Sequence, residues 1–191
     1  LSMMGYGFDR DWGAGLYRDF AWGNAAASFT TGTGMPLELE GNWLAAARVS
    51  RGVLNQENYN IGLSVAWGEP LMTMGYEVVS DEPYEFRMAG VDAAWLWRRF
   101  ESRVELMAGE RMGEESYALF WRFGANFLEE NRLRIEAQPV LLKEMGESSV
   151  SLSAGMSFQA TADVAIRAMY EYLDASEDNR IVAQVYYYKG M

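Results

Sequence analysis

The chain contains neither cysteine nor histidine. Without cysteine there are no disulfides and no thiolate metal sites. Without histidine the commonest neutral-pH general base and transition-metal ligand is gone. Lysine is almost missing too: Lys143 and Lys189 are the only two, whereas soluble sheets commonly guard their exposed edges with lysine. Half of the residues are apolar, yet no run approaches the roughly 18 consecutive apolar residues of a membrane helix. A bilayer-spanning reading therefore needs strands. The net charge of -11 speaks against nucleic acid as a partner and against a basic patch for an anionic surface. Leu1 begins without a charged n-region and apolar h-region, so the expectation is that a signal peptide has already been removed.

What the chain does have is strict alternation. In Asn60 to Gly68 the residues Ile61, Leu63, Val65 and Trp67 alternate with Asn60, Gly62, Ser64, Ala66 and Gly68, the period of a half-buried strand. Val150 to Gln159 repeats the pattern, with Val150, Leu152, Ala154, Met156 and Phe158 against Ser151, Ser153, Gly155, Ser157 and Gln159. A soluble sandwich and a membrane barrel both alternate, with the apolar face inward in one and outward in the other. The polar face decides between them. A water-exposed strand face normally carries larger residues than Gly, Ser and Ala, and glycine weakens a strand without adding packing. Small residues suit the concave inside of a closed sheet, so the apolar face is read as facing lipid.

Twelve such strands are expected, over Trp12–Trp22, Ala25–Thr31, Leu39–Leu54, Asn60–Gly68, Met72–Val78, Glu85–Arg99, Ser102–Glu110, Tyr117–Asn126, Leu133–Leu141, Val150–Gln159, Val164–Tyr172 and Arg180–Tyr188. Residues Leu1 to Asp11 form an N-terminal arm, and 12–188 make one β-barrel domain within the single domain 1–191. The links are too short for helical crossovers, so the fold class is all-β: one closed up-and-down antiparallel transmembrane barrel. Short links at Gly68–Pro70, Arg98–Glu101, Leu128–Asn131 and Thr161–Asp163 are expected on one side. Longer acidic links at Leu54–Asn58, Ser80–Glu85, Glu110–Ser116, Glu144–Ser149 and Asp174–Asn179 are expected on the other. An even strand number places both termini on the short-turn side.

With these strands in place, the chain resembles the bacterial outer-membrane β-barrel class over almost its whole length. The resemblance rests on the alternating strands, on aromatics near strand ends such as Trp22, Trp43, Trp67, Trp95, Trp97, Trp121, Phe127 and Tyr172, and on a terminal strand with Tyr186 and Tyr188 two apart. It departs from that class's terminal signal where Lys189, Gly190 and Met191 follow and where Ala183 replaces a glycine. In size and strand count the chain looks like the small monomeric twelve-stranded channels for acidic oligosaccharides. The resemblance implies a bacterial cell outer membrane, lipid and lipopolysaccharide as surroundings, and a monomer.

The inward-facing set contains Arg48, Glu77, Asp92, Arg103, Glu105, Arg122, Arg134, Glu136, Arg167 and Glu171. Guanidiniums and carboxylates on neighbouring strands can pair across the wall, because buried charges need partners. One reading is a porin-like channel for small hydrophilic or charged solutes, with these residues lining the pore as an electrostatic filter. The alternative is a non-conducting structural or accessory barrel, its interior filled by ion pairs, that anchors or docks a partner protein. Acidic loop residues, including Asp81, Glu82, Glu110, Glu114, Glu115, Glu144, Glu147, Asp174, Glu177 and Asp178, offer hard oxygen ligands for divalent cations. A solvated face is the preferred reading of them, and no metal or cofactor is expected. Serine hydrolases and acyl transferases of this compartment generally rely on histidine, so no enzyme is expected either.

Overall fold

In the computed structural model the described residues are 11–34, 36–74, 77–144, 146–174 and 178–188. They form an antiparallel meander: β1 (Gly13–Phe20), β2 (Gly23–Thr30), β3 (Trp43–Arg51), β4 (Tyr59–Glu69), β5 (Met72–Met74), β6 (Glu77–Ser80), β7 (Phe86–Trp97), β8 (Phe100–Arg111), β9 (Glu114–Phe127), β10 (Leu133–Glu144), β11 (Glu147–Gln159), β12 (Val164–Leu173) and β13 (Asp178–Tyr187). Eleven of these make one sheet in chain order, while β5 and β6 pair with each other alone. The links after β1, β3, β7, β9 and β11 lie on one rim, here the lower. Those after β2, β4, β8, β10 and β12 lie on the upper rim.

The burial of β4 shows which way the sheet curves. Ile61, Leu63, Val65 and Trp67 are 51, 57, 43 and 46 % exposed, while Gly62, Ala66 and Gly68 between them are buried. Large apolar side chains thus fan out on the convex face, and small ones line the concave face. The register carries this parity across the sheet: Leu63 faces Val49 on one side and Val91 on the other, and Val91 faces Leu106, which faces Leu119. Toward the lower rim the convex face carries Trp95, Trp97 and Phe100, and toward the upper rim Phe29, Trp43 and Trp67. Phe29 stacks on Trp43 at 5.9 Å, and Trp97 on Phe100 at 5.7 Å. An aliphatic band lies between these two aromatic zones.

The all-β, up-and-down reading holds, with three corrections. The expected fifth strand leaves the wall: β4 pairs directly with β7, and β5–β6 is a separate small hairpin. Gly75 and Tyr76, within the expected fifth strand, lie outside the described residues, as does most of the expected arm. The sheet is also not closed, since no pairing joins β1 to β13 among the described residues. Eleven alternating strands leave β1 and β13 running the same way, so the antiparallel ladder that joins every other neighbouring pair cannot form between these two. For the same reason β1 starts at the upper rim and β13 ends at the lower, rather than both termini sharing a rim.

The expected sorting of links by length changes as well. Leu54–Asn58 falls on the lower rim, and Gly68–Pro70, expected among the short turns, opens the link after β4 on the upper rim. The Leu54–Asn58 link holds a one-turn helix, α1 (Leu54–Glu57), closed by Asn58 at φ 64°. Glu110–Ser116 is no long loop, because β8 and β9 run on to a two-residue turn at Met112 and Gly113, with φ of 55° and 78°. Positive φ at both central positions is the turn that matches strand twist. Likewise β10 ends at Glu144 and β11 starts at Glu147. The third strand is shorter than Leu39–Leu54 because Gly41 and Gly52, at φ 84° and 87°, turn the chain just outside both ends of β3.

Candidate functional site on the concave face

Nine of the ten residues expected to line the interior lie on strands of the main sheet, on its concave face, and they form three groups. In the first, Arg48 of β3 reaches across β4 to Asp92 of β7, with Nη1 donating to Oδ2 at 2.5 Å and Nη2 to Oδ1 at 2.8 Å. Nη1 also donates to Ser64 Oγ at 2.9 Å. Glu105 stands opposite Asp92 on β8. The span over β4 exists because Gly62 lies beneath it: a Cβ there would collide with the Arg48 guanidinium and the Asp92 carboxylate.

The second group is centred on Glu101, which ends the expected Arg98–Glu101 turn and lies on β8. Glu101 accepts from Arg103 Nε at 2.7 Å and from Arg134 Nη2 at 3.0 Å, and it pairs with Arg122 at 3.6 Å. Glu136 shares Arg134 at 3.3 Å and accepts from Arg167 Nη2 at 3.1 Å. Four guanidiniums thus stand over two carboxylates. The Arg134 guanidinium crosses over Gly124, where a Cβ would come within 2.7 Å of it. Gly62 and Gly124 therefore mark where a neighbour's guanidinium crosses the strand. Glu101 has the same parity as Arg103 and Glu105, and a strand started one residue earlier than Ser102 would have included it.

The third group is Glu171 with Arg180, whose Nε donates to Glu171 Oε2 at 2.8 Å. Arg180 lies opposite Glu171 on β13 and was not singled out from sequence. Tyr186 shares this concave face, since it faces Ala165, whereas Tyr187 faces Val164 on the convex side. Glu77 is the correction: it sits exposed on β6, outside the wall, because the β5–β6 hairpin does not join the main sheet. Among the described residues no group of three or more acidic side chains converges as a metal site would require.

Toward the upper rim the concave face changes character. Leu44, Ala66, Phe86, Met88, Met107 and Ala118 are buried together, with Ala46, Tyr84 and Leu142 packed against them. The segment between β4 and β7 seals this packing: Leu71 is buried and donates to the Gly32 carbonyl at 3.0 Å, and Tyr84 donates to the Pro70 carbonyl at 3.0 Å. The Arg111 guanidinium lies 5.4 Å over the Tyr84 ring and pairs with Glu144. Burial raises the Tyr84 hydroxyl above its ordinary value, although Arg111 pulls it the other way. Met88 and Met107 share the parity of Asp92 and Glu105, but their gathering with Phe86 into a buried cluster follows from a cross-strand register that no single segment encodes.

No protein-family model matches the chain, and no curated protein matches it. Among solved structures, a porin superposes with a TM-score of 0.62 at 10 % sequence identity, over 90 % of this chain and 60 % of that one. At that identity the likeness shows the fold alone: an all-β, antiparallel, up-and-down, porin-like sheet. The chain spans 60 % of the length of that porin.

Proposed function

We propose that this chain forms the wall of an outer-membrane β-barrel in a Gram-negative-type envelope, and that small hydrophilic or charged solutes cross passively along its concave face. The observation that carries the reading is the inverted burial. Large apolar side chains are exposed on the convex side between two aromatic zones, while Arg48 with Asp92 and Arg134 with Glu101 sit paired on the concave side. That is the arrangement a sheet has when its outside meets lipid and its inside meets water. The porin-like fold supports it. Arg48, Asp92, Arg103, Glu105, Arg122, Arg134, Glu136, Arg167 and Glu171 would line the path and set its ion selectivity.

The buried packing of Phe86, Met88 and Met107 near the upper rim favours a second reading, a non-conducting barrel with a structural or docking role. Planar-bilayer recording of the purified full chain separates the two. Stable conductance steps support passage. A folded, bilayer-inserted protein that stays silent overturns passage and leaves the structural reading. A protein that is clear and monodisperse without detergent overturns both.

A further inference from the structure

The two rims hold their cations differently. Toward the upper rim Arg87 pairs with Glu85, Arg111 with Glu144, Lys143 with Glu115 and Arg180 with Glu171. Toward the lower rim Arg18, Arg98, Arg99 and Arg132 are exposed and pair with no carboxylate among the described residues. Each of these four guanidiniums stands over an aromatic ring instead. The distances to the ring centres are 5.2 Å for Arg18 over Phe20, 5.5 Å for Arg98 over Trp97, 5.6 Å for Arg99 over Phe127 and 5.6 Å for Arg132 over Phe158.

All four rings belong to the convex face, at the ends of β1, β7, β9 and β11, the strands that run into lower-rim links. Arg51 is exposed on the same face at the end of β3, opposite Ile61, and it too has no described ion pair. The carboxylates of this rim lie elsewhere. Asp19 has concave parity and accepts from the Tyr17 hydroxyl at 2.6 Å, and Glu57 turns back to accept from the Val53 N–H at 3.0 Å. Glu129, Glu130 and Asp163 stand in the links beyond the strand ends.

An arginine whose stem runs along a ring keeps its guanidinium where apolar surface gives way to water. In a bilayer, interfacial aromatics mark the level of the headgroups. We propose that this lower-rim collar, Arg18, Arg51, Arg98, Arg99 and Arg132, binds the phosphates of an anionic phospholipid leaflet. The proposal rests on the bilayer-spanning reading, and it names the lipid that this end of the wall selects. The guanidinium fork matches phosphate oxygens, and cations without carboxylate partners favour a headgroup that brings no ammonium of its own. The net charge of -11 does not oppose this. The 12 residues of β7 or β8 set the acidic upper links about 40 Å away along the strand, against a Debye length of about 10 Å at roughly 0.1 M salt.

The test is reconstitution of the full chain in phosphatidylcholine vesicles carrying a trace of spin-labelled phosphatidylglycerol or spin-labelled phosphatidylcholine. Electron spin resonance reads the fraction of each label held at the protein surface. A headgroup beside one arginine gains on the order of fivefold in affinity, and only part of the circumference carries arginines, so phosphatidylglycerol should be preferred at least about twofold. Added salt should shrink the preference. Arg18→Gln, Arg51→Gln, Arg98→Gln and Arg99→Gln combined should remove most of it, whereas the same four positions changed to lysine, which keeps the charge, should retain it. The pair Arg98→Gln with Arg99→Gln serves the same purpose if the fourfold variant does not insert. Equal association of the two lipids with the inserted parent overturns the collar alone, as does an inserted glutamine variant that keeps the full preference. A parent that does not insert overturns the spanning reading and the collar with it.

Discussion

Arg48 and Asp92 are joined by two parallel hydrogen bonds of 2.5 and 2.8 Å although a whole strand, β4, lies between their own. Gly62 makes the contact possible by leaving open the space that any side chain would fill. The Arg48 and Asp92 side chains are 40 and 26 % exposed, so the pair's own contribution is small. The geometry nevertheless ties β3 to β7 and holds Arg48 on the concave face.

Gly62→Ala should therefore destabilise through displacement of the Arg48–Asp92 pair, by about 1–3 kcal/mol as for other overpacked sites. Gly41→Ala sets a reference, since no neighbour lies within 4 Å of a Cβ there and its φ of 84° leaves backbone strain as the cost. Thermal unfolding followed by circular dichroism measures both. A Gly62→Ala protein that melts with its parent would show that Arg48 relaxes at no cost. Adding Arg48→Ala to Gly62→Ala should recover part of the loss.

The two faces of β4 should respond oppositely to charge. Leu63→Arg places a guanidinium on the convex face midway along the strand and should cost about 2–4 kcal/mol in a bilayer. Ser64→Glu, one residue on, points to the concave face beside the Arg48 guanidinium and should cost much less. Refolding titrations into lipid vesicles read the difference. Equal costs would contradict the lipid-facing assignment.

Replacing Arg103, Arg122 and Arg134 together with alanine removes the cations around Glu101 and should shift the reversal potential in a salt gradient toward cation selectivity. Glu101→Gln should shift it toward anions. Reversal potentials that stay at the parent value in both would remove this group from the conduction path.

Phe86 is buried at the centre of the upper-rim packing, and Phe86→Ala should cost about 3–5 kcal/mol. The paired substitution Met88→Ala with Met107→Ala thins the same packing and should raise conductance if solutes pass there. Conductance unchanged in a folded double variant would place the path elsewhere along the concave face.

Tyr84 should give this packing an alkaline limit. Its folded-state hydroxyl titrates above the ordinary value of about 10, so above that pH the unfolded chain loses its proton first. The Tyr84 contribution is complete below about pH 10 and declines as the pH rises further. The gap in unfolding midpoint between the parent and Tyr84→Phe should therefore shift in favour of the phenylalanine variant between about pH 9 and 11. A constant gap over that range would mean that Tyr84 is hydrated.

Much of the wall was legible from residues alone, because side-chain parity is local. Ile61, Leu63, Val65 and Trp67 needed only their own spacing to be placed on one face, and the same holds for Arg103 and Glu105 or for Arg134 and Glu136. The strand count was less legible. Met72 to Val78 alternates like its neighbours, yet it folds as β5 and β6, since a segment's pattern does not say which strand it will pair with. Glu101 escaped for a related reason. Beside Arg98 and Arg99 it reads as a turn residue, and its three arginine partners come from positions 2, 21 and 33 residues away.

The alternation of small and large residues determined that this chain is all-β and that its apolar face turns outward, and the short links determined that its strands run antiparallel. Those properties follow from the period of the extended backbone, from links too short for a crossover, and from the fit of Gly, Ser and Ala to the concave side of a curved sheet. Register and curvature decided the rest: which carboxylate serves which guanidinium, how Phe86, Met88 and Met107 meet beneath Tyr84, and how β4 comes to pair with β7. They also left β1 and β13 running in the same direction, because an odd number of alternating strands returns the last edge to the direction of the first.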